Sequence, residues 1–342
     1  MKKRLIACVL LIGIFAACTS TGPAPDRDET NEYQRFSESF LDTFDTLTTV
    51  TAYTRSHEEF IYFSRDVIRE ELRRLHRLFD IFNEYEGINN IRTINNNAGI
   101  APVEVDPVII EMLQLALEAY HISGGLVNVT IGPVTNIWRV AISERAVPDM
   151  EVLLAAARYI DINDLIINEE AGTVFLRREG MSLDVGAIAK GFSIELAAQA
   201  AIEAGLESFM LYVGGDVRVA GGPRGGVRDT WGIGVQNPRG GERIGAVFVT
   251  DTSVFSSGDY MRFFEVDGQR YHHIIDPRTL MPATGHMGAT VVYPYAGMVS
   301  VFSIIAFVMD TNEAKELLTD FGAQAIWMLQ DGTVVSTPNW PE

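Results

Sequence analysis

"SLDVGAIAKG", residues 182–191, stands between a strand-like run, "TVFLR" (173–177), and a run with helical spacing. A glycine turn feeding a helix start presents free backbone N–H groups at the positive end of the helix dipole. Lys190 adds a point charge there, so the loop has the makings of an anion site. The plainer alternative makes Asp184 a turn residue and Gly186 a packing residue, and for so short a glycine motif taken alone that alternative comes first. Neither GxxxxGK[ST] nor GxGxxG occurs in the chain, so the loop is neither a Walker nor a Rossmann phosphate cradle.

Outward from the loop, Ile188, Phe192 and Leu196 share one face of a helix over 187–204. Phe60, Val67, Ile68, Leu72, Leu75, Phe79 and Phe82 predict one long amphipathic helix from His57 to about Asn83. Asp106-Pro107 reads as an N-cap with proline in the first turn, opening a helix to about His121 that "SGG" (123–125) stops. Further helices fall near 149–159, 297–309 and 311–320. "LTTVTAYT" (47–54) is a strand, and "DLIIN" and "TVFLR" flank "EEAG" as a hairpin. Strands dominate after 205, at 208–213, 216–220, 231–236, 244–250, 262–266 and 270–275, with a last pair around "AIWMLQDGTVVS". Helices and strands mix without steady βαβ alternation, so the fold class is α+β.

The N-terminus carries Lys2, Lys3 and Arg4, then an apolar run from Leu5 to Ala17, then Cys18. That is a secretory signal over 1–17, too short to span a bilayer as a helix. Phe15-Ala16-Ala17-Cys18 resembles a lipobox with Phe in place of the usual Leu, which makes Cys18 the lipidated first residue of the mature chain. Cys8 leaves with the signal, so the mature body keeps no thiol and relies on its core. Residues 18–40, polar and proline-containing, read as a tether, leaving 41–342 as the folded domain. The expected location is the bacterial cell envelope, lipid-anchored on the outer side of the cytoplasmic membrane or periplasmic. The formal charge of −18 becomes −21 without the signal, 24 basic against 45 acidic residues, which excludes nucleic acid as a partner. A phosphate site must be built locally, and only Lys190 and Lys315 remain as lysines.

Two other stretches carry chemistry. "SSGDYMRFFEVDGQRYHHIIDPRTLMPATG" (256–285) places His272 and His273, the only adjacent pair among six histidines, in a strand among Asp259, Tyr260 and Asp276. "SGGLVNVTIGP" (123–133) reads as a turn, a short strand and a second turn. With "DTFDTLTTVTAY", "INNNAG", "MSLDVGAIAKGF", "LYVGGDV" and "WGIGVQNP", in this order over roughly 41–337, the chain resembles the ApbE family of FAD:protein FMN transferases, also called the thiamine-biosynthesis lipoprotein family.

That resemblance implies mixed sheets flanked by helices, with an FAD cleft between lobes. It implies FAD as substrate, with FMN moved to a Thr or Ser hydroxyl of an exported or membrane partner protein and AMP released; some members hydrolyse FAD instead. Either reaction is attack on a pyrophosphate phosphorus, in which positioning and charge neutralisation do most of the work, and Mg²⁺ is the expected cation. Matched motif by motif, Phe44, Phe82, Leu126, Val127, Asn128, Asp184, Lys190, His273 and Ile275 fall on FAD-contacting positions, with His273 also the candidate acid or base. Ala187 matches a metal ligand that acts through its carbonyl.

The chain departs from the family pattern where metal is bound. Aligning "FVM" (307–309) puts Ser300 at the position of a metal-binding Asp and Ile304 at that of a Thr. No Asp or Glu lies between Asp276 and Asp310, and on one helix Asp310 is about 15 Å beyond Ser300. Asn128 stands where the family carries Asp, and Ala187 where it carries glycine. Two readings follow: a transferase whose Mg²⁺ is held by the Ala187 carbonyl, water, Ser300 and the FAD phosphates, with FAD hydrolysis without transfer as its variant, and an FAD-binding lipoprotein that has lost efficient catalysis.

Overall fold

Eight strands form one antiparallel sheet in which sheet order is chain order, its inner strands burying side chains on both faces. They are β1 (Gln34–Thr43), β2 (Thr46–Thr54), β3 (Phe209–Val213), β4 (Asp216–Ala220), β5 (Thr252–Gly258), β6 (His286–Tyr293), β7 (Gln324–Leu329) and β8 (Val334–Ser336). A computed structural model describes residues 32–224 and 228–341 of the chain, and Tyr33–Glu342 form one unit by their contacts. The signal peptide and Cys18 lie outside the described residues.

In β3, Phe209, Leu211 and Val213 enter the main core, while Met210 and Tyr212 face the opposite side. The main core lies under helices inserted between strands. α1 runs from His57 to Phe79, with wider i→i+5 turns over Tyr62–Arg69. α2 (Pro107–Ile122), α3 (Gly132–Glu144) and α4 (Ala189–Glu203) follow before β3, and α5 (Ala296–Val308) and α6 (Thr311–Asp320) lie between β6 and β7. α5 is apolar nearly all round, as its position between α4 and the sheet requires. The other sheet face is covered by a hairpin of Trp231–Val235 and Gly245–Val249, which buries Trp231, Ile233 and Val247 against Val217, Val219 and Val254. A smaller core joins Val134 and Trp138 of α3 to Leu153, Phe264, Ile275 and Leu280, and is pinned where Trp138 Nε1 donates to the Leu280 carbonyl at 2.8 Å.

Three expectations need correction. Residues 34–40 are not tether but the first part of β1. Their polarity is that of an edge strand: Ser37 and Ser39 pair with Thr51 and Thr49 at 2.9 and 2.8 Å, and Glu38 and Asp42 take salt bridges from Arg65, Arg69 and Arg73 of α1. The helix from His57 ends at Phe79 rather than Asn83, because Asp80 turns extended and accepts from the Phe82 and Asn83 N–H groups. The short strand expected within 123–133 is instead a 3₁₀ turn, Val129–Ile131, capped by Asn128 and running directly into α3.

Candidate functional site

Strand register gathers the chemistry-bearing turns at one end of the sheet. Thr48 pairs with Val213, Val213 with Asp216, Val254 with Val217 and Gly258 with Gly288. The turns 44–45, 214–215 and 259–262 therefore leave the sheet on the same side. Gly214, at φ +56°, lets the third strand turn against Thr46, whose Oγ1 would lie 2.1 Å from a Cβ there. Phe44 stands at the tip of the first hairpin, partly buried, with its ring 5.4 Å from that of His76.

The loop 182–191 is held from two sides. Asn95, of "INNNAG", donates to the Leu183 carbonyl at 3.0 Å and accepts from the Leu183 N–H at 2.6 Å. On the other side the Asp184 N–H donates to the Val129 carbonyl at 2.8 Å, and Gly132 lies so close that a Cβ would stand 2.3 Å from the Ser182 carbonyl oxygen. The motif "SGGLVNVTIGP" thus lies back to back with "SLDVGAIAKG". Within the loop, Asp184 Oδ1 accepts from the Gly186 N–H at 3.0 Å, so the turn role read from the sequence holds as well.

Asp184 also meets Arg139 of α3, Oδ2 to Nη2 at 2.5 Å. The Arg139 guanidinium lies 5.1 Å from the ring centroid of Phe82, which is 59% exposed. Phe82 and Asp184, far apart in sequence, are joined through an arginine that the sequence reading missed. Its one signal is position, directly after the core Trp138.

Lys190, at the start of α4, places Nζ 2.6 Å from Oδ2 of Asp216, the Asp of "GGDV". Burial pushes the Asp216 carboxyl upward, opposed by the Lys190 ammonium and a hydrogen bond from the Ser256 N–H. The lysine expected to meet phosphate already has a carboxylate partner.

The two histidines divide. His272 is buried: Nε2 donates to the Ala283 carbonyl at 2.7 Å and Nδ1 accepts from the Ile274 N–H, a structural, neutral ring whose pKa burial lowers. His273 reaches solvent at one face with protein around the rest. Its pKa is pushed down to about 4, by burial first and then by the fields of His272 and Arg262. Nδ1 lies 3.1 Å from the Met261 carbonyl; a carbonyl only accepts, so Nδ1 carries the proton and Nε2 keeps a free lone pair.

Ser300 and Ala187, the two residues expected at the metal, lie against each other. Ser300 Oγ donates to the Ala187 carbonyl at 2.8 Å. Ile304, one turn on, packs with Leu126, Ile274, Phe307 and Val308. Asp310 caps α6 through the Asn312 and Glu313 N–H groups. Mg²⁺ is ordinarily held by one or two carboxylates together with substrate phosphates. The donors here are two neutral oxygens bonded to each other, while the carboxylates of Asp184 and Asp216 are tied to Arg139 and Lys190. Among the described residues no group of three or more His, Cys, Asp or Glu is placed to hold a metal ion. The residues present do not fit a resident Mg²⁺.

The remaining expected contacts are less open. Val127 is buried in the main core, Ile275 in the Trp138 core and Leu126 beside Ile304, so these three offer chiefly backbone. Asn128 Oδ1 accepts from both the Thr130 N–H and hydroxyl, at 3.0 and 2.7 Å. It works as a cap, a task an Asp could share.

The chain is thus an α+β domain that brings a helix-opening glycine loop, a Lys–Asp pair and a histidine with a free Nε2 to one end of its large sheet. Residues 44–327 match the sequence pattern of the ApbE family, and the chain belongs to that family. An FAD:protein FMN transferase of Treponema pallidum is 33% identical over 259 residues, 71% of this chain and 72% of that protein. One from Klebsiella pneumoniae is 31% identical over 225 residues, 63% of this chain and 69% of the relative. Among solved structures, the ApbE protein of Thermotoga maritima superposes with a TM-score of 0.80 at 26% identity, covering 89% of this chain and 97% of that one.

Proposed function

We propose that this chain is an FAD:protein FMN transferase, moving FMN from FAD to a Thr or Ser hydroxyl of a partner protein and releasing AMP. The observation that carries the reading is His273, neutral at pH 7 with Nε2 free, at the sheet end where the Asp184–Lys190 loop lies, in a chain of this family. His273 Nε2 takes the proton of the acceptor hydroxyl as its oxygen attacks the FMN phosphorus. The P–O bond to the AMP phosphate breaks, and AMP leaves. The glycine loop and Lys190 orient the pyrophosphate, and Phe82 supplies an exposed aromatic face for the flavin ring. Mg²⁺, the family's expected cation, has no fitting donor set here, so none of these steps is routed through it.

The partner is an exported or membrane protein, and this chain is held at the cell envelope by lipid on Cys18. A second reading, an FAD-binding lipoprotein with weak catalysis, is favoured by one observation, the neutral Ser300–Ala187 pair beside an apolar Ile304. Incubation with FAD, with and without a flavin-accepting protein, separates the two. AMP release with fluorescent labelling of the acceptor supports the transferase; FAD retained without AMP supports the binder.

A further inference from the structure

The cations around the candidate site are, with one exception, already matched to carboxylates. Lys190 is bonded to Asp216, Arg139 to Asp184, Arg278 to Asp276, Arg239 to Asp259, and Arg270 to Asp259 and Glu265. Arg262 is exposed and has no carboxylate at ion-pair distance among the described residues. It lies on the turn that leaves β5 at the site end of the sheet. Its own backbone, at φ +46°, redirects the chain into the strand Phe263–Val266. The residue before it, Met261, gives its carbonyl to His273 Nδ1 at 3.1 Å, so the backbone that carries Arg262 is held beside the ring, and the charge of its exposed side chain acts on that ring. A pyrophosphate diester brings two negative charges to a strongly acidic chain, at a place whose oxygen donors do not fit Mg²⁺.

We propose that Arg262 neutralises the pyrophosphate of FAD beside His273, in place of a resident divalent cation. This rests on the transferase reading and adds to it a phosphate-binding residue and metal-independent substrate binding. Arginine suits the role, since its planar fork engages two phosphate oxygens and stays charged at every working pH.

The test is equilibrium binding of FAD and of riboflavin, which lacks phosphate, followed by flavin fluorescence in Mg²⁺ and in EDTA. For the wild-type protein the FAD dissociation constant is expected to agree between Mg²⁺ and EDTA within about twofold. Arg262→Ala should weaken FAD by about tenfold or more, ~1.4 kcal/mol, with riboflavin nearly unchanged, and Arg262→Lys should recover part of the loss. Circular dichroism of each variant checks folding. Equal effects of Arg262→Ala on both flavins, no effect on FAD, or an about tenfold tightening of wild-type FAD binding by Mg²⁺ would each overturn the proposal. If the wild-type protein binds neither flavin, the transferase reading itself falls, and this one with it.

Discussion

The Ser300 hydroxyl donates to the Ala187 carbonyl at 2.8 Å, tying α5 to the loop that opens α4. Two neutral oxygens thus meet where the resemblance leads one to expect a charged ligand. Ser300→Asp combined with Ile304→Thr restores a carboxylate and a second hydroxyl at one turn's spacing. Mg²⁺ should then raise the melting temperature of the double variant, since a ligand at a hundred times its Kd adds about 2.7 kcal/mol, and leave the wild type unmoved. A double variant indifferent to Mg²⁺ means that α5 is misplaced relative to the loop.

Gly191 permits that contact. A Cβ there would stand 2.5 Å from Ser300 Cβ and 2.7 Å from the Ala296 carbonyl oxygen, and neither is the end of a flexible chain. Gly191→Ala should force α4 and α5 apart and cost about 1–3 kcal/mol by urea unfolding, despite alanine's better helix propensity. A stabilised variant would show that the two helices are not this close.

Asn95 is the brace of the glycine loop, through both its bonds to the Leu183 backbone. Asn95→Ala leaves a donor and an acceptor unpaired beside a buried side chain, an expected loss of about 2–3 kcal/mol. FAD affinity should fall with it, because the loop loses its support on that side. Unchanged FAD affinity in a folded variant would separate this loop from flavin binding.

Most of the architecture was legible because apolar periodicity is a local signal: the helices over 107–122, 189–203 and 311–320 and most strands of the sheet follow it. The missed elements lack such a signal. β1 is polar because its stability comes from Ser–Thr pairs and arginines more than twenty residues away. α3 hides behind Gly132-Pro133, which reads as a turn until Ser182 is seen against it. At the site, the loop, Lys190 and His273 were readable as motifs. Arg139, and the fact that Lys190 is already paired, were not, since both depend on residues brought together only by the fold.

Burial lowers the pKa values of His272, His273 and His286 below the ordinary 6.5. The unfolded chain therefore binds protons before the native one as pH falls. Stability should be full above about pH 6.5 and begin to decline just below it; lower in the range Asp216, whose raised pKa lets the native chain take its proton first, works in the opposite direction. Urea midpoints measured across pH 4 to 7, at intervals of about half a unit, check the slope, and His286→Gln should flatten it. A midpoint flat between pH 7 and 5 would contradict these burial assignments.

The most direct test is AMP release from FAD by the protein, with and without an acceptor protein bearing a reactive Thr or Ser, compared with His273→Ala. The expected result is acceptor-dependent AMP release at pH 7, with covalent flavin fluorescence on the acceptor and a loss of about 10²-fold or more in the variant, while FAD affinity is largely kept. FAD bound but never cleaved by the wild-type protein would contradict the account.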